Sequence, residues 1–143
     1  MKFLQRGFTL IEIMVVVVIL GILAAIVVPK IMSRPEQARL VKAKEDVTAI
    51  ENALDLYKLD NGIYPTTDQG LQALVTKPSS DPIPMGWKSD GYLKSVPTDP
   101  WGSSYQYLNP GSHTGYEYDL WSYGPNGKNA DTKDYIGNWN VDH

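Results

Sequence analysis

A single carboxylate, Glu12, stands near the start of a long apolar run and is the first residue of the chain whose type demands a chemical partner. Its charge would cost roughly 2.5–3.5 kcal/mol at the middle of a membrane helix and less near an interface. Either Glu12 lies at a membrane edge or a positive group meets it. A second concentration of reactive atoms runs from Ser122 to Trp139, through Gly124-Pro125-Asn126-Gly127 and Asp131-Thr132-Lys133-Asp134. Glycines there are mixed with side-chain oxygens, the donors that a hard cation such as calcium takes in sets of about six to eight. The spacing is not that of an EF-hand. Asn, Asp and Gly also furnish ordinary tight turns, so a loop closed by hydrogen bonds and by packing of Trp139 fits the same composition. The two histidines, His113 in a glycine-flanked loop and His143 at the terminus, read as solvated side chains. Gly124 to Lys128 has too short a glycine spacing for a phosphate loop, and no Ser or Thr follows the lysine, so nucleotide binding is rejected. Nothing in the chain resembles an enzyme's active site, and an enzyme is not expected.

These residues need elements to hold them. A chain of 143 residues has room for one compact domain and one extended element. A net charge of −3 without a basic block gives no reason to expect nucleic acid as a partner. The absence of cysteine removes disulfides and thiolate metal sites, leaving packing or an oxygen-bound ion to hold the fold. From Ile13 to Val28 every residue is apolar or glycine, and with Phe8 to Glu12 the stretch reaches the roughly 20 residues that span a bilayer as a helix. Lys2 and Arg6 ahead of it favour a cytoplasmic start, a lean that Lys30 and Arg34 on the far side weaken. A cleaved secretory signal is the ordinary alternative. Against it stand the lack of a well-placed small-x-small site before Pro29 and the presence of Glu12.

Beyond Pro29, which is able to kink a helix, Leu40, Ala43, Val47, Ile50, Leu54 and Tyr57 recur at spacings of three and four. That stripe predicts an amphipathic helix lying on a sheet, with Lys42, Lys44, Glu45, Asp46, Glu51 and Asp55 on a solvated face and a stop at Asn61-Gly62. Thr66 and Gln69 form a capping-box pattern ahead of Leu71, predicting a short helix. A proline-broken connector follows through Pro78, Pro82 and Pro84, then strands over 104–108 and 116–123. The fold expected is α+β: a long N-terminal helix, apolar then amphipathic, on a small antiparallel sheet with a loop-rich C-terminal region.

The residues Arg6-Gly7-Phe8-Thr9-Leu10-Ile11-Glu12 resemble the N-terminal motif of type IV prepilins and pseudopilins. Leu56 to Asn61, Tyr64-Pro65, Gln69-Gly70-Leu71 and Asp99-Pro100-Trp101-Gly102, in that order, look like the major pseudopilins of the type II secretion system. The resemblance implies a type IV pilin-like fold and divides the chain into a leader over 1–7, a hydrophobic transmembrane and assembly helix over 8–29, an amphipathic helix over 30–62 and a periplasmic domain over 63–143. It implies that a prepilin peptidase cuts after Gly7 and methylates the new amine of Phe8. A helical mature terminus would then carry opposite charges about one turn apart, at Phe8 and Glu12. In a stack of copies Glu12 could instead meet a neighbour's amine and fix register, and Pro29 marks where the helix could loosen on assembly.

The same resemblance implies calcium in the C-terminal loop, held by Asn126, Asp131 and Asp134 with backbone oxygens of Tyr123 and Lys128. The match is imperfect: Asn126 stands where the family has an acid, and the family's acidic pair becomes Asp134-Tyr135. The function implied is that of the major subunit of a periplasmic filament, built at the bacterial inner membrane, that helps drive folded proteins across the outer membrane. Its implied partners are further copies, minor pseudopilins, the inner-membrane assembly platform, the peptidase and, indirectly, the outer-membrane secretin channel. A pilin or minor pseudopilin, or an exported calcium-dependent binding module, are the rival readings.

Overall fold

A computed structural model describes residues 7–141, without the side chains of residues 27–33. The leader residues Lys2 and Arg6, the side chains of Pro29 and Lys30, and His143 lie outside the described residues. Helix α1 runs from Leu10 to Asn61. It passes through two compact units, divided between Ala38 and Arg39.

In the first unit α1 is apolar on every face from Ile13 to Ile26, and the side chains of that stretch stand open. Phe8 is 80% exposed, Leu10 75% and Ile11 74%, and the valines from Val15 to Val18 are all at least half exposed. Among the described residues no helix is long and apolar enough to cross a membrane; the described side chains of this stretch end at Ile26.

In the second unit the helical stripe does what its spacing predicts from Ala43 onward; Leu40, expected to open it, is exposed instead, one residue past the point where this unit begins. Ala43, Val47, Ile50, Leu54 and Tyr57 are fully or almost fully buried, and Ala53 joins them. They pack with Leu71, Ala73, Leu74, Tyr105, Tyr118, Leu120, Ile136 and Val141 in one core. The helix ends where Gly62 turns to φ 84°, its N–H closing on the Lys58 carbonyl at 2.7 Å. Such left-handed geometry is cheap only for glycine.

The sheet is three-stranded and antiparallel, in the order β1 (Gln106–Leu108), β2 (Asp119–Ser122), β3 (Ile136–Gly137). Tyr107 faces Leu120, and Ser122 faces Ile136. The strands are shorter than the two expected, and β3 emerges from within the loop expected to be irregular. The capping box also forms: the Gln69 amide donates to Thr66 Oγ1 at 3.1 Å and the Thr66 amide to Gln69 Oε1 at 3.0 Å. It closes a turn, however, and only a 3-10 helix follows, Leu71–Leu74.

One expected surface charge lies in the core instead. Asp46 is only 6% exposed and accepts a 2.8 Å hydrogen bond from the Tyr105 hydroxyl, while Lys42 pairs with its other oxygen. Burial, followed by the Asp46 bond, raises the Tyr105 pKa above its ordinary value of 10.0, keeping the phenol protonated as donor. Asp55 too has a partner, the Tyr64 hydroxyl at 2.8 Å.

Leu54→Ala should therefore lower the unfolding free energy by about 2–5 kcal/mol and Tyr105→Phe by about 1.5–3 kcal/mol, as measured by urea titration. Leu59→Ala, at a site 79% exposed, should change it by less than about 0.5 kcal/mol.

Candidate functional site

The N-terminal site is organised by its own helix end. Thr9 precedes α1, and its Oγ1 accepts the Glu12 amide at 3.2 Å, while its carbonyl accepts the amide of Ile13 at 3.2 Å. Thr9 and Glu12 thus hold the Thr-x-x-Glu spacing of a capping box, a role for Thr9 that the charge of Glu12 alone does not suggest. Glu12 lies in the first turn of α1, where the helix dipole favours a negative charge, and it is exposed. Gly7 and Phe8 precede the helix without regular structure. The backbone of Pro29 lies inside α1.

The C-terminal loop joins β2 to β3. A buried aspartate outside the expected donor set anchors its entry: Asp99 Oδ2 accepts Ser122 Oγ at 2.7 Å, and Ser122 Oγ accepts the Gly124 amide at 3.0 Å. Asp99 Oδ1 meanwhile holds its own turn through the amides of Trp101 (3.1 Å) and Ser103 (2.7 Å). The loop's exit is fixed by Asn138, which accepts from the Leu120 amide at 3.0 Å and donates to the Tyr118 carbonyl at 2.9 Å. A Cβ at Gly137 would lie 2.5 Å from the Trp139 ring, so only glycine fits there.

Between these anchors, the expected ligands are distributed along the loop. Asn126 precedes one 3-10 turn, Gly127–Asn129, and Asp131 caps the next, Thr132–Asp134, through a 3.2 Å bond to the Lys133 amide. The other Asp131 oxygen faces the Lys133 ammonium at 3.7 Å. Asp134 is exposed, and the Lys128 carbonyl accepts a long 3.4 Å bond from the Tyr135 hydroxyl. Among the described residues no three His, Cys, Asp or Glu side chains come together as a metal group. The expected donors are oxygens, as calcium requires, and only two of them are carboxylates, Asp131 and Asp134.

His113 is not a free surface side chain. Its ring stacks on Trp139 with centroids 3.7 Å apart and planes 9° apart, and its Nδ1 lies 3.0 Å from Asp119 Oδ2. The same buried carboxylate accepts from Ser112 Oγ at 2.7 Å and from the Ser112 amide at 2.9 Å. Burial alone would raise the Asp119 pKa, but the Ser112 and His113 hydrogen bonds outweigh it and hold the pKa below the ordinary 3.8.

Known proteins resemble the chain across both sites. Residues 30–139 match the family described as Type II secretion system (T2SS), protein G. The chain belongs to this protein G family. Residues 2–28 separately match the Prokaryotic N-terminal methylation motif, covering Gly7, Phe8 and Glu12. The type II secretion system core protein G of Pseudomonas aeruginosa is 61% identical over 137 residues, covering 94% of this chain and 95% of the relative. The protein of the same name from Pectobacterium carotovorum is 56% identical over 138 residues, covering 96% and 86%. Among solved structures, the major pseudopilin from the type 2 secretion system of enterohaemorrhagic Escherichia coli is 47% identical, with a TM-score of 0.67, covering 76% of this chain and 92% of that one. Protein G is a family of structural subunits. In this chain the four signature stretches read from sequence serve the domain's architecture: Asn61 Oδ1 holds the Gly86 amide at 2.9 Å, the Pro65 carbonyl accepts the Tyr107 hydroxyl at 2.7 Å, Gln69 caps a turn, and Asp99 ties a turn to the sheet.

A group whose folded pKa lies below its unfolded value stabilises the fold above the unfolded pKa and loses that contribution as pH falls through the folded one. Thermal melting should accordingly hold steady on acidification until the carboxylate range and then fall below pH 3.8. Asp119→Asn should melt lower at neutral pH and lose part of that acid dependence.

Proposed function

We propose that this chain is the major structural subunit of a type II secretion pseudopilus, made as a precursor and polymerised through its N-terminal helices. The observation that carries the reading is the helix start: Thr9 caps the first turn and leaves the Glu12 carboxylate exposed, ahead of an apolar helix whose described side chains are open on all faces. Such a helix needs a lipid or protein surround, since one apolar all round is unstable in water.

Before cleavage, the apolar stretch sits in the inner membrane with Lys2 and Arg6 on the cytoplasmic side. The prepilin peptidase cuts after Gly7 and methylates Phe8. Only Phe8 and Thr9 then precede α1, so the new ammonium stands four residues ahead of Glu12 along the chain. In the filament Glu12 of one copy receives the amine of the next. Desolvation offsets much of the attraction, so the pair chiefly sets register, and an unpaired Glu12 among apolar helices is penalised. Copies are added at the inner-membrane platform, together with minor pseudopilins and with energy from a cytoplasmic ATPase, and growth toward the secretin channel moves folded cargo outward.

N-terminal sequencing with mass spectrometry of the native protein should find a methylated Phe8 at its start. Glu12→Gln should be cleaved and methylated normally yet lose filament assembly and most secretion. A native start near Pro29 would show instead that the helix is a discarded signal, and normal filaments from Glu12→Gln would remove the register role.

A further inference from the structure

The loop from Ser122 to Trp139 carries two aspartates and two lysines, so its formal charges cancel. The Asp131 carboxylate that a divalent cation would need already faces the ammonium of Lys133, 3.7 Å away, which competes with a cation for it. The position after Asp134, where the family resemblance implies a second carboxylate, holds Tyr135. Its ring lies parallel to Trp121, with centroids 6.4 Å and planes 10° apart, and edge-on to Tyr123 at 5.1 Å and 74°. Trp121 in turn meets Trp139 at 6.1 Å, and Trp139 stacks on His113. One aromatic chain thus joins β2, the loop's exit and the loop ahead of β2.

The polar edge of Tyr135 is tied down as well. Its hydroxyl donates to the Lys128 carbonyl at 3.4 Å, across the loop, and its own carbonyl accepts from Asn140 Nδ2 at 2.7 Å. The Asn140 side chain also accepts the Gly137 amide at 3.0 Å, fixing the start of β3. A loop carbonyl that an ion would neutralise is given a proton donor, and the ring supplies apolar contact that a carboxylate would not.

We propose that in this chain Tyr135 closes the C-terminal loop in place of a metal ligand, so that the loop is ordered without a divalent cation. The reading goes beyond the filament function and is independent of it. It separates this chain from the calcium-held loop that its family resemblance implies.

The test is thermal melting of the detergent-solubilised full chain, followed by tryptophan fluorescence, in EDTA and in about 5 mM calcium, a level above the weak range of extracellular sites. The wild type should melt at the same temperature in both. Tyr135→Ala, which removes the ring packed against both Trp121 and Tyr123, should melt lower in both by on the order of 5–10 °C. Tyr135→Phe, which keeps the ring, should fall much less. Tyr135→Asp should melt low in EDTA and recover part of the loss in calcium. A wild-type melting temperature several degrees higher in calcium would overturn the proposal, as would Tyr135→Ala melting like the wild type. If Tyr135→Ala fails to fold, the wild-type comparison and Tyr135→Phe still decide it.

Discussion

A helix whose side chains are apolar on every face cannot keep that surface in water, and α1 carries such a surface from Ile13 to Ile26. In an amphipathic helix one stripe is buried and the rest is solvated, as happens from Ala43 to Tyr57. The first part of α1 has no polar face to offer. Its cover must therefore be lipid, other helices, or each in turn, and a structural subunit that moves from membrane to filament meets that demand at both stages. Glu12 makes the demand specific. A carboxylate presented by a capped first turn is tolerable at an interface and, deeper, only opposite a cation.

The second unit solves a different problem, that of standing alone without cysteine. Its core is built on one helical stripe, and the short strands and 3-10 turns around it are fixed mainly by side chains that reach backbone groups. Asp99, Asp119 and Asn138 are each almost fully buried, and each satisfies amides or carbonyls that a longer sheet would have paired internally. Buried carboxylates and amides here take the place that disulfides hold in many small domains of other proteins.

The same division explains what the sequence reveals. The stripe of α1, the stop at Gly62 and the pairing of Thr66 with Gln69 are legible because each depends on spacing within one element. The burial of Asp46 is not, because its reason is Tyr105, 59 residues away. Nor is the seating of His113, whose partners are Asp119 and Trp139. Strand β3 is two residues long and carries no alternating pattern to announce it. At the N-terminal site the residues are evident from the motif, but the capping role of Thr9 emerges only with the hydrogen bond. In the C-terminal loop composition alone does not separate cation binding from ordinary loop closure, since both use the same oxygens.

The central claim is that the apolar part of α1 is covered by the same part of other copies. The chain contains no cysteine, so cysteines introduced there have no native competitor. Single substitutions along the helix, among them Met14→Cys and Ile19→Cys, can be oxidised in cells whose secretion system is running and examined by mass. The account predicts cross-linked copies for at least some positions, lost when cleavage after Gly7 is blocked. Active secretion with the helix remaining uncross-linked at every position would contradict it.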